Sequence, residues 1–275
     1  MKTAKEEDPT VFAIVVTFNR SDILRVCIDS LLTQIEFGLR RIHVVVNSSD
    51  EATRVLLKKY DSQLITYEFL DNPGPAGGFS AGLQRFVQQQ MSHVWLMDDD
   101  VVVQGDCLKE LLRCVVSEEF VYPKVLTENG EELGAYGWWG LILSKKVVEK
   151  VGLPKTELFY WVEDTEYLQH RIRRVNKIIP FRCKSAVVRH LHIRNEKRPS
   201  WYYYYVLRNT LFYRIYILRF DLHHLKRVLY LIYTSIARIL VKEDRKVKKI
   251  LLMLLGIYHG LIGKIGKLVD PALNK

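Results

Sequence analysis

Apolar runs long enough to cross a bilayer are missing from this chain. The longest stretch without a formal charge, Ile250–Gly263, has 14 residues, against the roughly 20 that a spanning helix needs. Cysteine is scarce: Cys27, Cys107, Cys114 and Cys183 stand apart, with no CxxC and no zinc-ligand spacing. That pattern reads as free thiols in a reducing compartment rather than a disulfide frame. The polar start MKTAKEEDPT contains no apolar core, so no signal peptide is expected. Also missing are a Ser/His/Asp order and a cysteine-nucleophile signature, which leaves little support for hydrolase or thiol chemistry. No GxGxxG occurs, so a nicotinamide dehydrogenase is disfavoured. The expectation is a cytoplasmic protein, neither secreted nor membrane-spanning.

Acidic residues are also missing in one particular place. Residues 1–200 balance 27 Lys/Arg against 27 Asp/Glu, whereas residues 201–275 hold 14 against 4 and so carry the whole net charge of +10. A neutral body beside a basic tail suits an anionic partner for the tail. With 275 residues, 48% of them hydrophobic and 26% charged, the chain is long enough for one large α/β domain and an appendage.

What is present is an alternation of strands and helices. Val11–Phe18, Ile42–Val46, Leu64–Phe69 and Val94–Met97 read as buried strands. Helices are expected over Ile23–Thr33, over Glu51–Tyr60 and, after the glycine-rich loop DNPGPAGGFSAG, to about Met91. This order predicts a parallel, doubly wound sheet, with ligands at the carboxyl ends of its strands. Beyond residue 105 the pattern loosens into a helix at Leu108–Val116, a Gly/Trp segment and a helix at Lys145–Val151. A helix with an apolar stripe of Leu168, Ile172 and Val175 follows, and then a strand through FRCKSAVVRHLHI. From Trp201 onward the sequence reads as helical, basic and aromatic.

Each polar cluster follows a strand. Asp98, Asp99 and Asp100 close the fourth one, and three adjacent carboxylates call for a compensating cation; one hard divalent ion can take an oxygen from the first and the third. The bland alternative is a solvated acidic turn. Gly74, Gly77, Gly78 and Gly82 can let the backbone approach a diphosphate at a helix N-terminus, although any tight turn uses glycine. Glu163-Asp164 opens a helix, where carboxylates are commonly caps. Beside the flat rings of Trp138, Trp139, Tyr160 and Trp161, however, a carboxylate also suits a general base acting on a hydroxyl. His190 and His192 share a strand face, and either can complete a metal site.

The ordered set TFNR (Thr17–Arg20), VVVNSSD, NPGPAGGFSAG, WLMDDDV and WVEDTEY resembles the inverting glycosyltransferases of family 2, which have the GT-A fold. The pairing of the glycine motif with W-x-x-DDD looks most like the galactofuranosyltransferase and rhamnosyltransferase branch. The resemblance covers about residues 10–195. It implies a GT-A domain over residues 1–200, with a mostly parallel doubly wound sheet, and a basic helical extension over 201–275 that associates with membrane or oligomerises. It further implies that Thr17, Phe18, Asn19, Arg20, Asn47, Asn72 and Gly77 lie near the nucleotide and donor. Asp98 and Asp100 look like the ligands of a Mn2+ or Mg2+ ion, His190 like a third ligand and Asp99 like a ribose or donor-sugar contact. Asp164, with Glu163 beside it, matches the catalytic base, and Trp138, Trp139 and Trp161 match positions where sugars stack. One departure stands out: the second strand usually ends in an Asp that reads the nucleobase, and here Val46 or Asn47 stands there, with Asp50 the next acid.

The implied reaction moves a sugar from a UDP or dTDP sugar to a glycan or polyprenyl-linked hydroxyl at the cytoplasmic face of an anionic membrane. Two other classes compete. A nucleotidyltransferase shares the glycines and carboxylates but wants an early basic residue for a triphosphate, for which Arg20 is the only candidate. A nucleic-acid binder would use Trp201–Tyr205, Arg208, Arg214 and Arg219, yet the dense Leu, Ile and Tyr there suit helix cores better, so no nucleic acid is expected.

Overall fold

The computed structural model describes residues 9–191, 197–219 and 221–273. They form two units: residues 9–154 with 167–191, and residues 155–166 with the described part of the chain beyond 196. Residues 155–166 therefore belong with the C-terminal helices. Nothing local in the sequence marks that grouping.

The first unit is a nine-stranded sheet between helices. Its strands are β1 (Val11–Thr17), β2 (Leu39–Val46), β3 (Ile65–Phe69), β4 (His93–Asp98), β5 (Val101–Gln104), β6 (Phe120–Thr127), β7 (Glu132–Leu133), β8 (Trp139–Ser144) and β9 (Phe181–His190). The order is β3-β2-β1-β4-β8-β6-β9-β5, with β7 on β6. β3, β2, β1 and β4 run parallel, β8 runs against both β4 and β6, and β9 is parallel to β6. β1 is buried along its whole length because its two faces serve two cores. Val11, Ala13 and Val15 pack with helix α1 (Ser21–Leu32), while Phe12, Ile14 and Val16 pack with helix α3 (Gly74–Val87). A strand buried on both sides reads as an unbroken apolar run, which is why the sequence discloses it.

Several elements differ from expectation. Helix α2 (Glu51–Leu57) stops short of Tyr60, and α1 begins at Ser21, before the expected Ile23, with Arg20 ahead of it and no side-chain cap. The glycine-rich segment is not an open loop: α3 begins at Gly74, and Gly77, Gly78 and Gly82 are buried within it. The reason is close packing. A Cβ on Gly78 would lie 2.7 Å from Val16 Cγ1, and one on Gly82 would lie 2.5 Å from Ile14 Cγ2. Helices α4 (Cys107–Val115) and α5 (Lys145–Val151) appear as expected. The helix at Thr165–Val175 has the wider π winding; Leu168 and Ile172 are buried as its stripe predicts, but Val175 faces solvent. All four cysteines are free, with the Cys114 and Cys183 sulfurs 3.0 Å apart.

The second unit is built on helix α6 (Ser200–Phe212), which is buried along most of its length. Helix α8 (Lys246–Leu261) packs closely on it through two glycines: a Cβ at Gly256 would strike the Tyr204 carbonyl, and one at Gly260 would lie 2.8 Å from the Arg208 oxygen. Helix α7 (Leu222–Lys242) buries only Val228, Ser235 and Ile239. Tyr203, Tyr204 and Tyr205 are core residues whose hydroxyls are bonded to Glu243 Oε1 at 2.9 Å, His259 Nδ1 at 2.8 Å and the Val269 oxygen at 2.7 Å. Those rings and the buried Arg208 are taken up by the core of the unit and are not open to stack bases.

Lys249 is buried in this unit. It donates to Glu243 Oε2 at 2.6 Å and to Asp244 Oδ1 at 2.7 Å, while Arg238 Nε reaches Glu243 Oε1 at 3.0 Å. Burial pushes the Glu243 carboxyl up, but the bonds from Lys249, the Arg198 amide, Tyr203 and Arg238 outweigh it and hold the group below its usual range. Truncating one partner of a buried pair leaves the other charge uncompensated. Lys249→Ala is therefore expected to destabilise the helical unit by about 3–5 kcal/mol, measured by denaturant unfolding.

Candidate functional site

In the first unit, the parallel register brings four strand ends to one edge. Thr17 lies opposite Val46, Val46 opposite Phe69, and Val16 opposite Asp98. The segments beyond these strands therefore collect there: Phe18–Arg20 after β1, Asn47 after β2, Leu70–Asn72 after β3 and Asp99-Asp100 after β4. This is the carboxyl edge at which open α/β sheets bind ligands.

A network of charge links the first and last of these segments. The buried Thr17 hydroxyl donates to Asp99 Oδ2 at 2.6 Å. The Arg20 guanidinium forks over both neighbours: Nε donates to Asp99 Oδ2 at 3.2 Å, Nη2 to Asp99 Oδ1, and Nη1 to Asp100 Oδ2 at 2.9 Å. Asn19 reaches this arrangement with a φ of +53°, a left-handed conformation that Asn tolerates better than most residues. Burial pushes the Asp99 carboxyl up to about 6 despite the opposing charge of Arg20. Asp100 is pushed up by burial as well, but His190 and Arg20 outweigh it and hold it below the usual range. The three aspartates in turn raise Arg20 against its own burial. At neutral pH the cluster is anionic with one arginine laid across it.

His190 ends β9 and sets Nε2 3.3 Å from Asp100 Oδ1, while the Trp139 ring meets the imidazole edge-on at 5.4 Å. His192 lies outside the described residues. Among the described residues, no three His, Cys, Asp or Glu side chains form a ready metal cage. The donors still fit a divalent cation of the kind that substrate completes. Mg2+-type ions are commonly held by one or two carboxylates, with substrate phosphates filling the remaining positions. Asp98 ends the strand, and Asp100 already attracts two cationic or imidazole groups. A carboxylate that gathers such partners suits a metal ligand.

Around the donor segments, Asn47 is buried. Its Nδ2 donates to the Gly74 oxygen at 2.9 Å, and its Oδ1 is buried with no donor among the described residues. Asp50, the next acid, is committed elsewhere: it accepts from the Thr53 amide at 2.9 Å and caps α2. Asn72 stands just before α3 with a φ of +40°. Gly77 lies inside that helix, and Phe18 is exposed. Trp138 and Trp139 have different surroundings. Trp138 is buried, with its ring stacked on Phe79 at 4.2 Å and Tyr167 beyond at 5.9 Å, so protein rings take the faces that a sugar would need. Trp139 is half-buried.

The second unit holds the other candidates. Asp164 Oδ1 accepts from the Thr165 amide at 2.5 Å and from the Thr165 hydroxyl at 3.1 Å; burial raises its carboxyl against those bonds. Glu163 is buried with Oε2 unpartnered, and burial together with the charge of Asp164 pushes it up to about 8. Burial and Asp164 thus favour the protonated form of Glu163. Trp161 is 39% exposed and sits edge-on to Tyr202 at 5.7 Å.

Residues 12–148 match the family model for Glycosyl transferase family 2. This part of the chain is a family 2 glycosyltransferase domain. The transferase domain contains the β1 to β4 strand ends, Trp138 and Trp139, whereas Asp164 and His190 lie beyond the match. No curated protein matches the chain significantly. Among solved structures, GalNAc-T7, crystallised with UDP, GalNAc and Mn2+, is similar with a TM-score of 0.58 and 15% identity, over 68% of this chain and 44% of its own. TarS of S. aureus is similar with a TM-score of 0.55 and 16% identity, over 80% of this chain and 42% of its own. The chain thus spans less than half the length of either. These likenesses give the transferase domain the GT-A fold.

Proposed function

We propose that the protein is an inverting, divalent-cation-dependent glycosyltransferase. On this reading it moves a sugar, of galactofuranose or rhamnose type, from a UDP or dTDP sugar to a hydroxyl of a lipid-linked or polysaccharide acceptor. The observation that carries the proposal is the network joining Thr17 and Arg20 to Asp99 and Asp100 at the carboxyl edge of a family 2 domain. GalNAc-T7, crystallised with UDP, supports a pyrimidine donor. Asp98 and Asp100, with His190 beside them, would hold a Mn2+ or Mg2+ ion, which would supply positive charge against the departing diphosphate. Arg20 adds a second positive charge, and Asp99, fixed by Thr17 and Arg20, is oriented to accept a ribose or sugar hydroxyl. Asp164 takes the proton of the acceptor hydroxyl as that oxygen attacks the anomeric carbon in line and the bond to the diphosphate breaks. A single displacement inverts the anomeric centre. NMR of the product's anomeric configuration tests this, and retention would refute it. Release of pyrophosphate from a triphosphate plus a sugar phosphate would favour the nucleotidyltransferase instead.

The helical unit supports an anionic membrane surface as the place of action. Lys249, Met253, Gly256 and Gly260 of α8 are buried. The opposite face shows Val247, Leu251, Leu254, Tyr258 and Leu261, all more than half exposed. On α7, Leu229, Tyr230, Tyr233, Leu240 and Val241 are similarly open. No helix among the described residues is long and apolar enough to cross a membrane. Such faces, ringed by Tyr and Lys, suit a position in the headgroup zone. Charge favours lipid over a second copy of the chain. Of the four acids beyond residue 200, Asp221 caps α7, Glu243 and Asp244 hold Lys249, and Asp270 accepts from the Ala272 amide. The basic surplus is left for lipid phosphates, each nearby Lys or Arg contributing about 1 kcal/mol. A polyprenyl-linked acceptor would sit in that same surface. With phosphatidylglycerol vesicles, the protein is expected to co-sediment at low salt and to be released at high salt. Protein that stays in the supernatant as a dimer would assign the face to self-association.

A further inference from the structure

The segment just before Glu163-Asp164 has an uncommon backbone. Phe159, Trp161 and Val162 have φ values of +62°, +71° and +73°. This left-handed region is costly for L side chains, most of all for a β-branched valine, and persists only where the surroundings impose it. The surroundings here are two consecutive buried residues of α6. The Asn209 amide nitrogen lies 2.6 Å from the Leu158 oxygen, 2.6 Å from that of Tyr160 and 3.0 Å from that of Trp161. Its own oxygen accepts from Arg208 Nε at 2.8 Å, which fixes the orientation of the amide. Arg208 Nη2 donates to the Leu158 oxygen at 3.2 Å, and Nη1 donates to the Gly266 oxygen. Gly266 returns its amide to the Glu157 oxygen at 2.8 Å. The guanidinium also stands 4.7 Å over the Tyr205 ring, against which the Phe159 ring packs at 4.7 Å.

Among the described residues no carboxylate pairs with Arg208; its protein contacts are carbonyl oxygens, the Asn209 amide and tyrosine rings. A buried guanidinium without a counter-ion is a poor way to stabilise a helix pair. Together with Asn209 it instead holds three carbonyls of a single strained segment, those of Leu158, Tyr160 and Trp161, just before the two carboxylates.

We infer that Arg208 and Asn209 are positioning residues. They hold the carbonyls of Leu158, Tyr160 and Trp161, and so clamp the segment in which Phe159, Trp161 and Val162 are left-handed; this sets the Glu163-Asp164 carboxylates and the exposed Trp161 ring for proton abstraction from the acceptor. The inference rests on the reading of Asp164 as the base. Neither residue touches a reacting atom, so the effect reaches the reaction through the backbone they hold.

The test uses the full chain with its nucleotide sugar. Asn209→Ala is expected to lower kcat by about 10–100-fold, the scale on which a misplaced catalytic group costs rate, while KM for the nucleotide sugar stays within about twofold. Hydrogen exchange should show lost protection at the amides of residues 159–164, with α6 and α8 still protected. Val162→Gly, which removes the cost of the positive φ, is expected to restore part of the lost kcat in the Asn209→Ala background. Rescue of kcat that exceeds any rescue of melting temperature distinguishes the clamp from a general gain of stability. Arg208→Lys keeps the charge but loses the fork, and should show the same pattern more weakly if Asn209→Ala does not fold. Wild-type kcat in Asn209→Ala, or protection lost evenly across all the helices, would overturn the clamp. Asp164→Asn separates the two readings. If that variant is inactive while Asn209→Ala is fully active, only the clamp fails; if Asp164→Asn turns over normally, the assignment of the base fails.

Discussion

Replacing Asp100 by alanine is expected to abolish sugar transfer, with a fall of about 10³-fold or more, the scale seen when one electrostatic partner of a developing charge is removed. Asp100 is the carboxylate toward which the cluster converges: Arg20 Nη1 lies 2.9 Å from one oxygen and His190 Nε2 lies 3.3 Å from the other. Those partners hold it ionised, so it is ready to take a cation at neutral pH. Without it, a departing diphosphate loses its counter-ion and Arg20 keeps only Asp99. Asp98→Ala is expected to lose transfer as well. The check is the rate of nucleoside diphosphate release at saturating Mn2+ or Mg2+, with the melting temperature measured in parallel to show that each variant is folded. Full activity of either variant in chelator would remove the carboxylates from the reaction.

Asp164→Asn is expected to lower the rate by about 10²–10⁴-fold with little change in melting temperature. The asparagine oxygen can still accept the Thr165 amide and hydroxyl that Asp164 Oδ1 accepts, so the cap survives while the basic oxygen is lost. A cap role alone would give the opposite result, with stability reduced and turnover retained. Glu163→Gln should be milder in rate, and a larger loss there than at Asp164 would transfer the base to Glu163. The two also differ in pH dependence. Glu163 is raised to about 8 from an ordinary 4.5, chiefly by burial and then by Asp164. Between these values the folded chain holds a proton that the unfolded chain has released, so stability falls as pH rises through that window. Below the window the contribution is flat, because both states are protonated. Glu163→Gln removes the proton and should flatten the decline of melting temperature between about pH 5 and 8.

The legible parts of this molecule are those where one local pattern has one outcome. β1 almost throughout, Val44–Val46 of β2 and Val94–Met97 of β4 are apolar because both sheet faces are covered there, and such runs are read directly. The strand-end clusters follow from the same reading, since a polar residue after a fully buried strand marks its exit. β5 and β6 were not legible. Val101–Gln104 is four residues long and follows three acids, and Phe120–Thr127 carries Pro123 and Lys124 at a register shift against β9. Trp138 and Trp139 look alike in sequence. Only the packing of α3 separates them, by placing Phe79 flat against the first. Arg208 and Lys249 read as basic surface of the tail, whereas one is buried among carbonyls and the other between two carboxylates. Burial of a charge depends on partners distant in sequence, and a local pattern carries no record of them.

The central claim is transfer of a sugar from a nucleotide diphosphate sugar with a divalent cation at the Asp98–Asp100 cluster. Incubating the purified full chain with a panel of UDP and dTDP sugars, in Mn2+, Mg2+ or chelator, and measuring nucleoside diphosphate release tests it most directly. The account predicts release from at least one pyrimidine sugar in the presence of the cation, stopped by chelator and absent in Asp100→Ala. Release that is equal in chelator, or no release from any sugar of the panel, would contradict it.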